Sequence, residues 1–327
     1  MNPNFAGAKS GIKQARFLIL RGGAIGDFIA TLPAIRAVRD RWPEAWIELV
    51  GYPHIADLAL AAGLVNRVES LDRSGMARFF ADRPAFTAEQ SDYIRSFDFV
   101  ISYLHDPGGM VRNNLELAGA RQVLYGSPIV ETGHAVDHLL KPLEALAIYG
   151  DGTERPRLDI PDAPALGREW LTRNALTSRP VAIHPGSGSP KKNWPADRFL
   201  HLARMAADRL GVAPFFILGE ADAAVAEALG ARAGGFPVLT GVSLVRLAAI
   251  LSVCRAFAGN DSGITHLAAA VGLPVVALFG PSDASRWAPR GPCVRVLRGE
   301  GGDMTAIADE TVLAALAEVL IEAGRGP

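Results

Sequence analysis

At 327 residues, 49% of them hydrophobic and 20% charged, the chain can bury two sizeable cores and does not read as disordered. Its formal net charge of −1 gives no global attraction for nucleic acid, and both halves share that balance: 15 Lys/Arg against 16 Asp/Glu in residues 1–150, and 18 against 18 thereafter. Cys254 and Cys293 lie in unrelated contexts with no disulfide or metal-ligand spacing, and no apolar run suits a secretory segment or a membrane span, so a cytoplasmic protein is expected.

The first apolar run, RFLIL at 16–20, reads as a strand and is followed at once by RGGAIGDFIATLPAI. Phe28, Ile29, Leu32, Ile35, Ala37 and Val38 recur close to a helical period and predict a helix over 27–41. A glycine-rich turn between strand and helix is where a dinucleotide fingerprint would sit. Here the glycines are Gly22, Gly23 and Gly26, so the G-x-G-x-x-G spacing is absent. The next strand ends in LVGYP, without the acidic residue that would hold a ribose, and the NAD reading is set aside. Two readings of Asp27 stay open. It is a helix N-cap, or it is a carboxylate held at the helix mouth as a base, with the glycines admitting a substrate to the backbone.

Further strands fit 46–50, 66–70, 98–102 and 121–125, and helices fit 55–62, 110–119 and 135–148. Residues 71–97 break the rhythm and read either as a helical excursion lining a cleft or as a surface insertion. His134 and His138 have i,i+4 spacing, but HAVDH lacks the glutamate of H-E-x-x-H, and no metal is expected. The stretch DGTERPRLDIPDAPA (151–165) has three prolines, mixed charge and no periodicity. It reads as a linker between one domain over 1–150 and another over 166–327.

In the second half, strands fit 180–184, 214–218, 236–239, 255–259, 274–279 and 293–297, with helices at 195–210, 220–233, 243–252, 262–271 and 305–323. Alternation at this spacing predicts an α/β fold: two Rossmann-like domains whose parallel sheets face each other across a cleft. In such sheets ligands gather beyond the carboxyl ends of the strands. Two loops there carry chemistry. In HPGSGSPKKNWP (184–195), the small residues Gly186, Ser187, Gly188 and Ser189 precede Lys191 and Lys192. Open backbone N–H groups and cationic charge suit phosphate oxygens; a solvated basic turn is the plainer alternative. In GNDSGITH (259–266), Asp261, Ser262 and Gly263 open a helix with His266 one turn in. That helix mouth suits a diphosphate, or Asp261 or Ser262 is only its cap. Glu220 and Asp222, after FFILG, either hydrogen-bond a nucleoside ribose or start a helix.

Together, RGGAIGDFIATLPAIRAVRDRWP, HPGSGSPKKNWP and LTGVSLVRLAAILSVCRAFAGNDSGITHLAAAVGLPVVALFGPSD resemble the ADP-heptose:lipopolysaccharide heptosyltransferases over nearly the whole chain. The resemblance implies the GT-B architecture, with an acceptor-binding N-terminal domain and a nucleotide-sugar-binding C-terminal domain. It also implies an inverting, metal-independent transfer without a cofactor. The expected donor is a nucleotide sugar, ADP-heptose, and the expected acceptor a glycan or lipid-linked glycan such as lipopolysaccharide core. By position, Asp27 matches the catalytic base, and Gly22, Gly23 and Gly26 form an acceptor-side loop. Lys192 matches the lysine that neutralises the donor phosphate, within a donor site that includes Ser187 and Gly188. Asp261 matches the acid that contacts the donor sugar, with Ser262, Gly263 and His266 at the diphosphate-binding helix start. Glu220, or Asp222 in its place, falls to the ribose. Peripheral contact with the inner membrane surface belongs to the same expectation; nucleic acid does not. The chain departs from the pattern at Gly22-Gly23-Ala24, where a small hydroxyl pair is usual, and its N-terminal half lacks the positive charge that a phosphorylated lipid acceptor favours. A nucleotide-sugar epimerase of the UDP-GlcNAc 2-epimerase type and a non-catalytic nucleotide-sugar-binding protein are the competing expectations.

Overall fold

A computed structural model describes residues 14–176, 180–230 and 233–324, the side chains of 323 and 324 excepted. The N-terminal stretch read above for a secretory segment lies largely outside these residues, as does the end of the helix expected over 220–233. The first half runs β1 (Arg16–Leu20), α1 (Ile25–Arg41), β2 (Trp46–Gly51), α2 (Pro53–Ala61), β3 (Arg67–Ser70), α3 (Ala88–Arg95), β4 (Phe99–Ser102), α4 (Met110–Leu117), β5 (Val123–Tyr125) and α5 (Ala135–Leu140). The second runs α6 (Ala163–Arg173), β6 (Pro180–His184), α7 (Ala196–Leu210), β7 (Ala213–Ile217), α8 (Ala223–Leu229), β8 (Val238–Leu239), α9 (Leu244–Leu251), β9 (Ala256–Asn260), α10 (Gly263–Ala270), β10 (Val275–Phe279), α11 (Ala284–Trp287), β11 (Val294–Arg298) and α12 (Asp309–Gly324).

The strands form two sheets, in the orders β3-β2-β1-β4-β5 and β11-β10-β9-β6-β7-β8, and every pairing is parallel. Helices cover both faces of such sheets, so the central strands read as continuous apolar runs. In β1, Phe17 and Ile19 enter one core while Leu18 and Leu20 enter another, as a strand's period of two requires. In each sheet the chain order reverses beside the first strand: between β1 and β4, and between β6 and β9. Those two crevices, just past the carboxyl ends of the strands, are where the glycine loops fall.

The inner core continues from one sheet to the other. Ile35 of α1, Leu58 of α2, Ile250 of α9 and Leu267 of α10 share it, with α1 packed on α10 and α2 on α9. The outer face of the first sheet settles the reading of residues 71–97. Met76, Phe79, Ile94 and Phe97 are buried against Leu18, Leu20, Val50 and Val100, so the segment is that sheet's covering layer, not a surface insertion.

Two expectations need correcting. The helix expected over 135–148 is α only to Leu140 and continues as a 3₁₀ turn over Lys141–Leu146, with Pro142 at its start. The stretch 151–165 is not linker throughout. Helix α6 begins at Ala163 and packs on α9; Pro164 sits in its first turn, where the missing N–H costs nothing. The extended part is itself strapped down: Leu158 N–H donates to the Ala270 carbonyl at 2.8 Å, and Arg36 of α1 donates to the Arg157 carbonyl at 3.0 Å.

Candidate active site

The loop after β1 begins with a buried charge. Arg21 is 3% exposed, and its guanidinium donates to Thr31 Oγ1 (2.9 Å), the Asp27 carbonyl (2.9 Å) and the Tyr103 carbonyl (3.4 Å). Burial lowers its pKa, against which the charge of Asp27 acts first. Gly22 lies between Leu71 and Leu104, and Gly23 takes a positive φ of 94° to turn the chain toward the helix.

The cap reading of Asp27 is corrected by the helix start. The N-cap is Ala24, in extended conformation, and Asp27 is the third helical residue. Its Oδ2 accepts from the Ala24 N–H at 3.0 Å, which is the return half of a capping box whose forward half alanine cannot supply. Oδ1 has no hydrogen-bond partner among the described residues, and the side chain is half-buried.

The loop after β6 is held from below. Asn260, fully buried, donates to the Pro185 carbonyl at 2.8 Å and accepts from the Trp194 N–H at 3.0 Å, so the end of β9 fixes both ends of the loop. Gly186 is needed for contact with Asp222, because a Cβ there would sit 1.9 Å from its Oδ1. Asp222 is buried; it accepts from the Gly219 N–H at 2.7 Å and lies 3.9 Å from His184. Glu220 is exposed. Of the two acids weighed for the ribose, Asp222 is therefore committed to the protein and Glu220 remains available to a ligand. The Ser187 hydroxyl donates to its own loop, with Ser189 O at 2.7 Å and Asn193 Oδ1 at 2.6 Å, whereas Gly188 has open space beside it.

The two lysines of the loop part company. Lys191 is exposed, while Lys192 turns inward to Asp261, with Nζ 2.8 Å from Oδ2. Asp261 is 7% exposed, so its carboxylate is buried with this cation as its partner.

Ser262 caps α10 by accepting from the Thr265 N–H. Gly263 is where α1 and α10 touch. A Cβ there would lie 2.5 Å from the Ile25 Cβ and 3.0 Å from the Gly26 nitrogen, and a Cβ on Gly26 would lie 3.3 Å from His266 Cδ2. The first turns of α1 and α10 thus cross with only glycine between them. His266 is 8% exposed, and its imidazole has no hydrogen-bond partner among the described residues. Burial pushes its pKa down to about 4; the Asp261 and Asp27 charges oppose that shift, while His134 and Lys192 add to it. The imidazole is accordingly neutral at pH 7. Asp27, Lys192, Asp261 and His266, from three separate stretches, meet at one place.

Several site features carry no signal in a linear reading. Arg21 is the cation that closes an apolar strand, and Asn260 is a single polar residue at a strand end. His134 caps α5 and donates from Nε2 to the Ala288 carbonyl across the halves (2.9 Å), while His138 donates to the Ser127 carbonyl at 2.9 Å. Their i,i+4 spacing thus serves packing. Nearby, Arg290 forks onto both oxygens of Asp137, each at 2.6 Å. No group of three or more His, Cys, Asp or Glu suited to a metal occurs among the described residues. A depression of about 440 Å³ where the linker crosses α9, lined by Leu158, Ile160, Pro164, Ala248 and Val271, shares none of this chemistry.

Known proteins supply context for this geometry. The family model described as "Glycosyltransferase family 9 (heptosyltransferase)" matches residues 152–316. The chain is 32% identical over 308 residues to lipopolysaccharide heptosyltransferase 2 of Salmonella typhimurium, covering 86% of this chain and 88% of that protein. In fold it is similar to a family 9 glycosyltransferase of Veillonella parvula, with a TM-score of 0.78 at 23% identity over 96% of this chain and 99% of that one. It is also similar to an Escherichia coli heptosyltransferase solved with ADP-2-deoxy-2-fluoro heptose, with a TM-score of 0.67 at 20% identity over 93% of this chain and 99% of that one.

Proposed function

The chain belongs to glycosyltransferase family 9, the heptosyltransferases, and is a glycosyltransferase of GT-B fold; from that premise we propose that it transfers a heptose from ADP-heptose to a hydroxyl of a lipopolysaccharide-core glycan, with inversion and without a metal. The E. coli relative's bound ADP-2-deoxy-2-fluoro heptose and the S. typhimurium relative's name support the donor and the acceptor class. The observation that carries the reading is the crossing of α1 and α10. It sets a carboxylate with a free oxygen, Asp27, against a cation and a helix mouth from the other half. Membership of a transferase family favours transfer over epimerisation.

In this reading the N-terminal unit, residues 1–150, receives the acceptor and the C-terminal unit, 166–327, the donor. The acceptor hydroxyl attacks the anomeric carbon from the face opposite the diphosphate. Its oxygen forms the new glycosidic bond, its proton passes to the Asp27 carboxylate, and the anomeric C–O bond breaks with both electrons leaving on the diphosphate. Lys192 and the N–H groups at the start of α10 stabilise the charge that develops there. Asp261 accepts hydroxyls of the donor sugar, and Glu220 accepts from the ribose. His266 is neutral, so it adds a polar wall to the diphosphate site without a second positive charge.

Asp27→Asn tests the assignment, because asparagine can still accept from the Ala24 N–H but cannot take a proton. Release of ADP from ADP-heptose in the presence of heptose-deficient lipopolysaccharide should fall by about 10²–10⁴-fold. A variant that keeps the wild-type rate removes Asp27 as the base and leaves it only the bond to the Ala24 N–H at the helix start. The wild-type rate should also survive a chelator; a loss that Mg²⁺ restores removes metal independence.

A further inference from the structure

Arg21 stands out among the buried charges. Its guanidinium is 3% exposed and all three of its hydrogen bonds go to neutral acceptors; it makes no ion pair with any described residue. Burying a cation is costly, and the charge of Asp27 opposes that cost without cancelling it. The bonds show where that cost is directed. Two of the three converge on the first turn of α1. One reaches the Asp27 carbonyl, and the other reaches Thr31 Oγ1, whose own hydroxyl donates to that same carbonyl at 2.8 Å. The third reaches the Tyr103 carbonyl just past β4, so Arg21 ties β1, β4 and the helix together at the crevice. Tyr103 is itself fixed, with its hydroxyl donating to the Leu139 carbonyl at 2.9 Å.

We propose that Arg21 is a positioning residue for the transfer reaction: it clamps the main chain of Asp27 to the sheet, so that the carboxylate is aimed at the acceptor hydroxyl. The inference rests on the reading of Asp27 as the base. The clamp matters because the residues just ahead of the turn offer no side-chain bond to the sheet. The cap position is alanine, and the loop before it is two glycines, one with positive φ. The donor residues Lys192, Asp261 and His266 belong to the other half and make no bond to Arg21. Loss of the clamp should therefore lower kcat and spare the KM for the donor, whereas damage to the fold would depress both.

The test uses the full-length enzyme with ADP-heptose and heptose-deficient lipopolysaccharide. Arg21→Met keeps the bulk of the side chain and removes every bond. It should lower kcat by about 10–100-fold, as expected for a reacting group misplaced by about 1 Å, with KM for ADP-heptose within about twofold. Arg21→Lys retains charge and one reach toward the Asp27 carbonyl, and should recover part of that loss. Should Arg21→Met not fold, Thr31→Val removes one arm of the clamp about one turn further along and should lower kcat in the same direction by a smaller factor. A folded Arg21→Met enzyme with wild-type kcat overturns the proposal, as does a wild-type kcat in Thr31→Val. If Asp27→Asn is inactive while the Arg21 and Thr31 variants are unimpaired, the base assignment stands and the clamp fails. If Asp27→Asn is fully active, both fail together.

Discussion

Gly263→Ala is the smallest change that separates the two halves of the site. The added carbon would stand 2.5 Å from the Ile25 Cβ and 3.0 Å from the Gly26 nitrogen, against the ~3.5–4.0 Å of an ordinary carbon contact. Neither neighbour is a flexible side-chain end, so α1 and α10 must move apart by about 1 Å. Overpacking of that size costs about 1–3 kcal/mol in stability, which for a chain this long lowers Tm by a few degrees. The catalytic consequence is larger. Asp27 follows Gly26 directly and Asp261 precedes Gly263 by two residues, so the same shift separates base from donor. A misplacement of ~1 Å can cost about 10²-fold in rate. Steady-state ADP release should then fall far more than the loss of folded protein explains, as judged by thermal melts and circular dichroism. Gly108→Ala is the control: it is the same chemical change where a Cβ meets nothing within 4 Å and φ is not positive, and it should be neutral. A Gly263→Ala enzyme with a lowered Tm but wild-type kcat would show that the helix crossing does not set the distance between base and donor.

Two further outcomes are expected. Lys192→Ala should weaken ADP-heptose binding by calorimetry and also destabilise the protein, because it leaves Asp261 buried and unpaired. Lys192→Ala combined with Asp261→Asn should recover stability but not affinity, and recovery of affinity would remove Lys192 from the donor site. The pKa of His266 is lowered to about 4 in the folded state. Between that value and its unfolded value near ~6.5, the unfolded chain binds a proton that the native site refuses, so stability falls as pH drops through this window. Thermal melts from pH 7 to pH 4 should show a shallower decline in His266→Gln than in wild type; equal slopes would refute the burial argument.

The alternation of apolar runs with helical patterns placed every strand of both sheets to within a few residues, because parallel strands covered on both faces need unbroken apolar stretches such as VVALF and RFLIL. What stayed illegible is what such patterns do not encode. The first turn of α6 reads as linker because Pro161 and Pro164 dominate a short window, and tolerance of proline in a first turn depends on where the helix starts. The segment 71–97 has only scattered apolar residues; Met76, Phe79, Ile94 and Phe97 become one surface only once the chain folds over the first sheet. Contact between the halves through α1 and α10 likewise rests on Gly26 and Gly263, which serve turns equally well elsewhere.

For the site, residue type indicated chemistry but not commitment. Glu220 and Asp222 were equivalent on paper. Burial of Asp222 against Gly186, with its oxygen on the Gly219 N–H, decides which carboxylate is free. Lys191 and Lys192 differ in the same way, since only one reaches Asp261. That ion pair also bears on how a diphosphate can enter. Were Lys192 to bind the donor phosphate as proposed, that phosphate would share or replace Asp261 as its partner, and a carboxylate 7% exposed cannot be left without one. Sugar hydroxyls brought by the same ligand are donors of the right kind. A complete nucleotide sugar thus satisfies both ends of the pair it disturbs, while a nucleoside diphosphate alone satisfies one. Titrating ADP against ADP-heptose by calorimetry measures that difference, and ADP binding as tightly as the sugar nucleotide would exclude this exchange.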